Sequence, residues 1–224
     1  NEHLQHLNLL LEGISRHGLK LSPRKAKFCK DKVEYMGHVV TIADGGPHIS
    51  AMKSKCDAIQ RLKVPTNSKE VRTFIGAVTY LSDYIPNLQL LLHPLHKISS
   101  KKSTFVWSEE CQVNYDRIKS LLCQPPVLTM PRKDGVFILY SDTSRIATGA
   151  TLCQIVNGQE RVVGYHSKLL PEAAARYSVS ELEYKGLVLN VKAFRNILGS
   201  VSFYAVVDHS ALVEIQKSKR EPPT

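Results

Sequence analysis

Two apolar runs that each close on an aspartate constrain the fold of this chain more than any other feature. Val136-Phe-Ile-Leu-Tyr-Ser-Asp142 and Ser202-Phe-Tyr-Ala-Val-Val-Asp208 are rich in β-branched and aromatic residues, the composition of half-buried strands. Between them Glu183 opens a helix whose Leu182, Leu187, Leu189, Val191, Phe194 and Ile197 supply an apolar side. A strand-helix-strand unit brings two strand ends and a helical turn close together. Three clustered carboxylates suit hard divalent cations. Mg²⁺ and Mn²⁺ prefer oxygen ligands, and two such ions about 4 Å apart can clamp the attacking water and the leaving oxygen of a phosphodiester. An acid at a strand end is ordinarily a turn former or a solvated cap. Here Asp142-Thr-Ser is followed by Gly149-Ala-Thr-Leu-Cys-Gln154, which reads as the return strand of a hairpin, so Asp142 stands at a strand tip beside a cleft.

Punctuation organises the rest. Residues 1–48 read as a helix, Glu2 to His17, then a hairpin ended by Asp44-Gly-Gly-Pro47. Residues 49 to about 100 read as two helices parted by Val64-Pro-Thr-Asn67, with Asn67 or Ser68 as the N-cap of the second. A further helix, Ser108 to Leu122, starts on a serine followed by acids and stops before Pro125-Pro126. From Arg132 onward the pattern is strand, hairpin strand, a third strand at Arg161 to Tyr165, helix, and a fourth strand at Val201 to Val207, followed by a helix from Ser210 to Lys217.

The formal charge is +10. Residues 1–131 hold 18 Lys+Arg against 11 Asp+Glu, or +7, and residues 132–224 hold 12 against 9, or +3. The excess concentrates between Arg16 and Lys32, where Lys25, Lys27 and Lys30 accompany a single acid, Asp31, and such a run can neutralise phosphates. Five cysteines without paired spacing argue for reduced thiols and against a disulfide framework or a Cys-x-x-Cys zinc site, and so for the cytoplasm or nucleus. No apolar run approaches the roughly 20 residues of a membrane span.

The second half resembles the RNase H domain of gypsy-type LTR retrotransposon Pol polyproteins. The resemblance rests on Phe137-Ile-Leu-Tyr-Ser-Asp-Thr-Ser144, Gly149-Ala-Thr-Leu-Cys-Gln154, Val163-Gly-Tyr-His-Ser-Lys168, Arg176-Tyr-Ser178, Glu181-Leu-Glu183, Phe194-Arg195 and Val207-Asp-His209, in the family's order and spacing. Upstream, Val33-Glu-Tyr-Met-Gly-His-Val-Val40 resembles the hairpin that holds the primer end, with Met36 and Gly37 on the matching positions. Ile49 to Leu62 and Ser68 to Tyr84 resemble thumb helices, and His93-Pro-Leu95, Phe105-Val-Trp107 and Leu122 to Leu128 a connecting region. The resemblance implies an α/β (α+β) fold in three parts. These are the end of a palm with its hairpin (1–48), a helical thumb and connection (49–131) and an RNase H-like mixed β-sheet with flanking helices (132–224), the last incomplete at its C-terminal end.

The implied catalytic and metal-binding residues are Asp142, Glu183 and Asp208, holding two Mg²⁺ or Mn²⁺ ions. Glu181 competes for the middle role, but it lies two residues, about 200°, around the helix from Glu183. Nucleic-acid contacts are expected from Met36, Gly37, Lys25, Lys27, Lys30 and His209. The implied partners are an RNA/DNA hybrid and the remainder of the Pol polyprotein, with room for a homodimer and no membrane. One departure is large. The Tyr-x-Asp-Asp polymerase motif is absent, since the aspartates before residue 100 are Asp31, Asp44, Asp57 and Asp83, none adjacent, so no polymerase activity is expected of this chain alone. The family completes its acidic cluster downstream of the third acid, so the isolated chain is also expected to cleave poorly.

Overall fold

The architecture of the first half is set by a tight turn and the residues that clamp it. A computed structural model describes residues 2–43, 46–100, 104–123, 125–132, 135–199 and 201–208. Helix α1, Glu2–Arg16, comes first and buries none of its residues, so Leu4, Leu9 and Leu10 of its expected apolar side lie exposed. Strand β1 (Lys32–Tyr35) then turns back onto β2 (His38–Ala43). At the turn Met36 and Gly37 take φ of 46° and 76°, the pair of positive values that a two-residue hairpin loop demands. A Cβ on Gly37 would collide with the Tyr80 hydroxyl, which itself donates to the Met36 carbonyl. His38 stacks on the Tyr80 ring and shares a 2.8 Å hydrogen bond with the Tyr84 hydroxyl.

The chain next forms β3 (Gly46–Ala51), antiparallel to β2, and then α2 (Lys53–Gln60). Here the structure corrects the sequence reading, which starts a helix at Ile49. Ile49 lies opposite both Val40 and Leu128, and pairing on two edges holds it in a strand. Helix α3 (Ser68–Thr79) is capped by Asn67, whose side chain accepts from the Lys69 and Glu70 amides at 3.1 and 3.0 Å. A second correction follows. Residues 49–100 contain three helices, because Ile85-Pro86-Asn87 breaks the chain before α4 (Leu88–Ser99). Asn87 absorbs the reversal with left-handed backbone, φ 52° and ψ 31°.

Helix α5 (Glu109–Cys123) closes a helical core around Phe74, Tyr84, Leu92, Leu95, Tyr115 and Ile118. Phe74 meets the Tyr115 ring at 4.6 Å, and Trp107 meets it edge-on at 5.8 Å. Strand β4 (Leu128–Thr129) adds to β3, giving the first sheet the order β1-β2-β3-β4. Leu122 to Leu128, expected as a connection, thus ends in that sheet.

The second sheet has the order β7-β6-β5-β8, made of β5 (Val136–Thr143), β6 (Ala147–Val156), β7 (Gln159–Leu169) and β8 (Phe203–Val207). The three consecutive strands are antiparallel, while β8 returns parallel to β5 after α6 (Val179–Ala193) and α7 (Arg195–Leu198). Helix α6 covers one face of the sheet, and the first half covers the other face at β7, where Val162 and Tyr165 pack on the helical core. Strand β6 is accordingly buried almost throughout, and it reads as a small and apolar run. Burial pushes the Cys153 thiol in this strand up to about 12, so it stays protonated and unreactive. The expected helix from Ser210 to Lys217 lies outside the described residues.

Candidate active-site groove

Parallel pairing of β5 and β8 is what brings two carboxylates together. Ser141 stands in register with Val207, so Asp142 and Asp208, the next residues of each chain segment, leave neighbouring strands at the same end of the sheet. Both are exposed, and both line one groove of about 360 Å³, whose walls also include Pro86, Asn87, Tyr140 and Thr151. Neighbouring strands lie about 5 Å apart. Two exposed like charges at about that separation repel by about 1 kcal/mol in water. Among the described lining residues there is no Lys, Arg or His to offset this repulsion. Hard oxygen donors with uncompensated negative charge fit Mg²⁺ or Mn²⁺.

Glu183 is placed differently. It sits on the buried stripe of α6 with Gly186 and Asn190. The register of that stripe is clear, since Asn190 reaches Ser141 and Gly186 lies so close to Thr143 that a Cβ there would collide with Oγ1. Glu183 is therefore one turn nearer the strand end than Gly186. Side chains alternate along a strand, so with Ser141 and Thr143 facing α6, Asp142 faces away from it. The structure thus gathers Asp142 and Asp208 and keeps Glu183 on the helix side of the sheet. Among the described residues no group of three or more His, Cys, Asp or Glu side chains could hold one ion.

Glu181 has a different task. Its carboxylate accepts from the Ser178 amide at 2.8 Å while the Ser178 hydroxyl accepts from the Glu181 amide at 3.3 Å, a capping box that starts α6. The amide bond from Ser178 holds the Glu181 carboxyl below its ordinary range. Glu181 points outward and is engaged, which leaves Glu183 as the buried acid of this turn.

Beneath the groove, a residue that sequence reasoning missed ties three strands to α6. Asn190, fully buried, donates to Ser141 Oγ and Thr148 Oγ1 at 2.9 Å and to the Gly149 carbonyl at 3.1 Å. His166 Nδ1 donates to the Asn190 carbonyl oxygen at 2.9 Å, so His166 belongs to this support and not to the carboxylate groove. Of the other expected contacts, Met36 is exposed at the hairpin tip, and Lys27 and Lys30 are exposed. Lys25 lies in a short 3₁₀ turn, and His209 is outside the described residues.

Comparison with known proteins places this architecture. Residues 107–205 match the RNase H-like domain found in reverse transcriptase, a match that begins upstream of Arg132 and takes in α5 and β4. The chain is similar to the Transposon Tf2-3 and Tf2-4 polyproteins of Schizosaccharomyces pombe, each 29% identical over 225 residues, which is 99% of this chain and 17% of the polyprotein. It therefore spans about a sixth of the length of these curated relatives. Among solved structures it resembles the foamy viral protease-reverse transcriptase in complex with dsDNA (TM-score 0.70, 19% identity, all of this chain and 47% of that one). It also resembles the same kind of protein in complex with an RNA/DNA hybrid (TM-score 0.70, 18% identity, all of this chain and 30% of that one). At these identities the structural likeness establishes the fold. Together the matches fit a fragment of an LTR retrotransposon Pol polyprotein that carries a reverse transcriptase and RNase H region. Among the described residues, no helix is long and apolar enough to cross a membrane.

Proposed function

We propose that this chain hydrolyses the RNA strand of an RNA/DNA hybrid, with the groove between β5 and β8 as the place of cleavage. The observation that carries the reading is the pair Asp142 and Asp208, each next after the registered pair Ser141 and Val207 of two parallel strands, in one groove whose described lining has no cationic side chain. Asp142 and Asp208 would hold divalent metal, and Glu183, on the helix side of the sheet in this structure, would have to reach round the strand end to serve as the third carboxylate. When bound, two Mg²⁺ or Mn²⁺ ions lower the pKa of the attacking water and stabilise the departing 3′ oxygen. The chain's own residues do the rest. Asn190 pins the strand that carries Asp142. The hairpin of Met36 and Gly37, clamped by Tyr80 and Tyr84, together with Lys25, Lys27, Lys30 and His209, would hold the hybrid backbone. Discrimination for RNA rests on the 2′-OH, which DNA lacks, and on the shape of the hybrid's minor groove.

The remainder of a Pol polyprotein and a second copy of the chain are the proposed protein partners, and a virus-like particle or the nucleus the proposed setting. Without an adjacent aspartate pair the chain does not polymerise DNA. One observation favours a second reading, a module that binds nucleic acid or a protein partner without turnover: the sheet stands between Glu183 and the Asp142 groove. A labelled hybrid separates the two. Cleavage in Mg²⁺ or Mn²⁺ that stops in chelator supports hydrolysis, whereas binding without cleavage in either buffer supports the silent module.

A further inference from the structure

We infer that Asn87, contributed by the first half of the chain, is a substrate-contacting residue of the groove whose amide donates to the phosphate backbone of the strand being cut; this rests on the reading above. Three observations converge on it. The cross-strand row Asp142, Gly149 and Ser167 runs over β5, β6 and β7, and the start of α4 sits on that row. The Gln89 amide donates to Ser167 Oγ at 3.0 Å, and the Asn87 side chain lies where a Cβ on Gly149 would be. Asn87 therefore stands beside Asp142, at the wall shared by the large groove and a small hollow of about 30 Å³.

The orientation and chemistry of the side chain point the same way. Of its two terminal atoms, Oδ1 is the one pressed against Gly149, while Nδ2 is 3.9 Å from that Cβ position and turns away. Asn87 is exposed, its side chain does not cap α4, and among the described residues the carboxamide makes no hydrogen bond. It is also the one side-chain N–H donor on the described lining of a groove that otherwise presents two carboxylates, hydroxyls and apolar groups. A polyanion entering such a groove meets repulsion from Asp142 and Asp208. The Asn87 N–H beside them, exposed and unengaged among the described residues, can offer a hydrogen bond to a non-bridging phosphate oxygen.

The backbone tells which variants test this. Left-handed φ is tolerated by Asn, Asp and Gly and strained for other residues, so Asn87→Gly and Asn87→Asp keep the fold. Hybrid affinity is measured by fluorescence anisotropy in Ca²⁺, and cleavage kinetics in Mg²⁺. Asn87→Gly, which removes one hydrogen bond to a charged group, is expected to weaken hybrid binding about tenfold and to raise KM with little change in kcat. Asn87→Asp keeps the size but turns the donor into a third negative charge. It is expected to weaken binding further, most of all at low salt, where the repulsion is least screened. Wild-type affinity in both variants would overturn the assignment. So would loss in the Gly variant with an unaffected Asp variant, the signature of a wedge that only fills space over Gly149. Because binding is read without turnover, a chain that never cleaves leaves this test intact and sinks only the hydrolytic reading.

Discussion

Replacing Asn190 with Ala should destabilise the second half more than any other single polar substitution under the groove. The carboxamide donates to Ser141 Oγ, Thr148 Oγ1 and the Gly149 carbonyl out of solvent and accepts from the half-buried His166, all at 2.9 to 3.1 Å. Some of that loss heals, because Thr148 Oγ1 keeps Thr143 Oγ1 at 3.1 Å. Ser141 and His166 lose the side-chain partner that α6 provided. About 1–2 kcal/mol for buried Ser141, about 1 kcal/mol for half-buried His166 and about 1 kcal/mol for the void give ~3–4 kcal/mol. At an m-value of ~2.5 kcal/mol/M the urea midpoint should fall by about 1–2 M, read by far-UV circular dichroism. A shift below about 1 kcal/mol would refute the reasoning, since it would mean that Asn190 does not hold β5, β6 and β7 to the helix.

Gly37→Ala should cost about 1–3 kcal/mol, because the new Cβ meets both positive φ and the Tyr80 hydroxyl; urea titration reads it. Glu181→Gln should lower the melting temperature at pH 7 by loosening the α6 cap. The native carboxyl is held below its ordinary value of 4.5, so its stabilising effect is present above that pH and lost as pH falls through the lower native pKa. The gap between variant and wild type should therefore close in acid, and a gap that persists there argues against the cap as its source. Changing Lys25, Lys27 and Lys30 to Gln should flatten the salt dependence of hybrid binding by up to about 0.9 log-log units for each phosphate no longer neutralised, and an unmoved slope would make the run a solvated face.

How much of this was legible in the sequence varies with the range of the interactions involved. The strand-helix-strand unit was, because Val136 to Asp142 buries alternate positions and Phe203 to Val207 is a β-branched and aromatic run, half-buried at its two ends, and both are patterns a local reading reveals. The cap at Ser178 and Glu181 also has a local signature, serine followed three residues later by glutamate. Strand β3 was not legible, because Ile49 belongs to a strand only through its partners Val40 and Leu128, the latter distant in the chain. Helix α4 was hidden by Pro94 inside it, which reads as a break. Asn190 and Asn87 carry no sequence signal of their roles. An asparagine within a helix reads as a surface residue, and one after a proline as a turn. Their tasks exist only once β5, β6 and β7 lie side by side with α4 on one face and α6 on the other.

The central claim is that Asp142 and Asp208 form the metal-holding heart of a hydrolytic groove, and cleavage of a labelled RNA/DNA hybrid by wild type, Asp142→Asn and Asp208→Asn at saturating Mg²⁺ tests it most directly. Each amide keeps the shape of the side chain while removing a charge that an ion worth several kcal/mol of transition-state stabilisation depends on, so the rate should fall on the order of 10³-fold. The urea midpoints should stay close to wild type, because both residues are exposed. Metal-dependent cleavage by both variants at the wild-type rate would contradict the account.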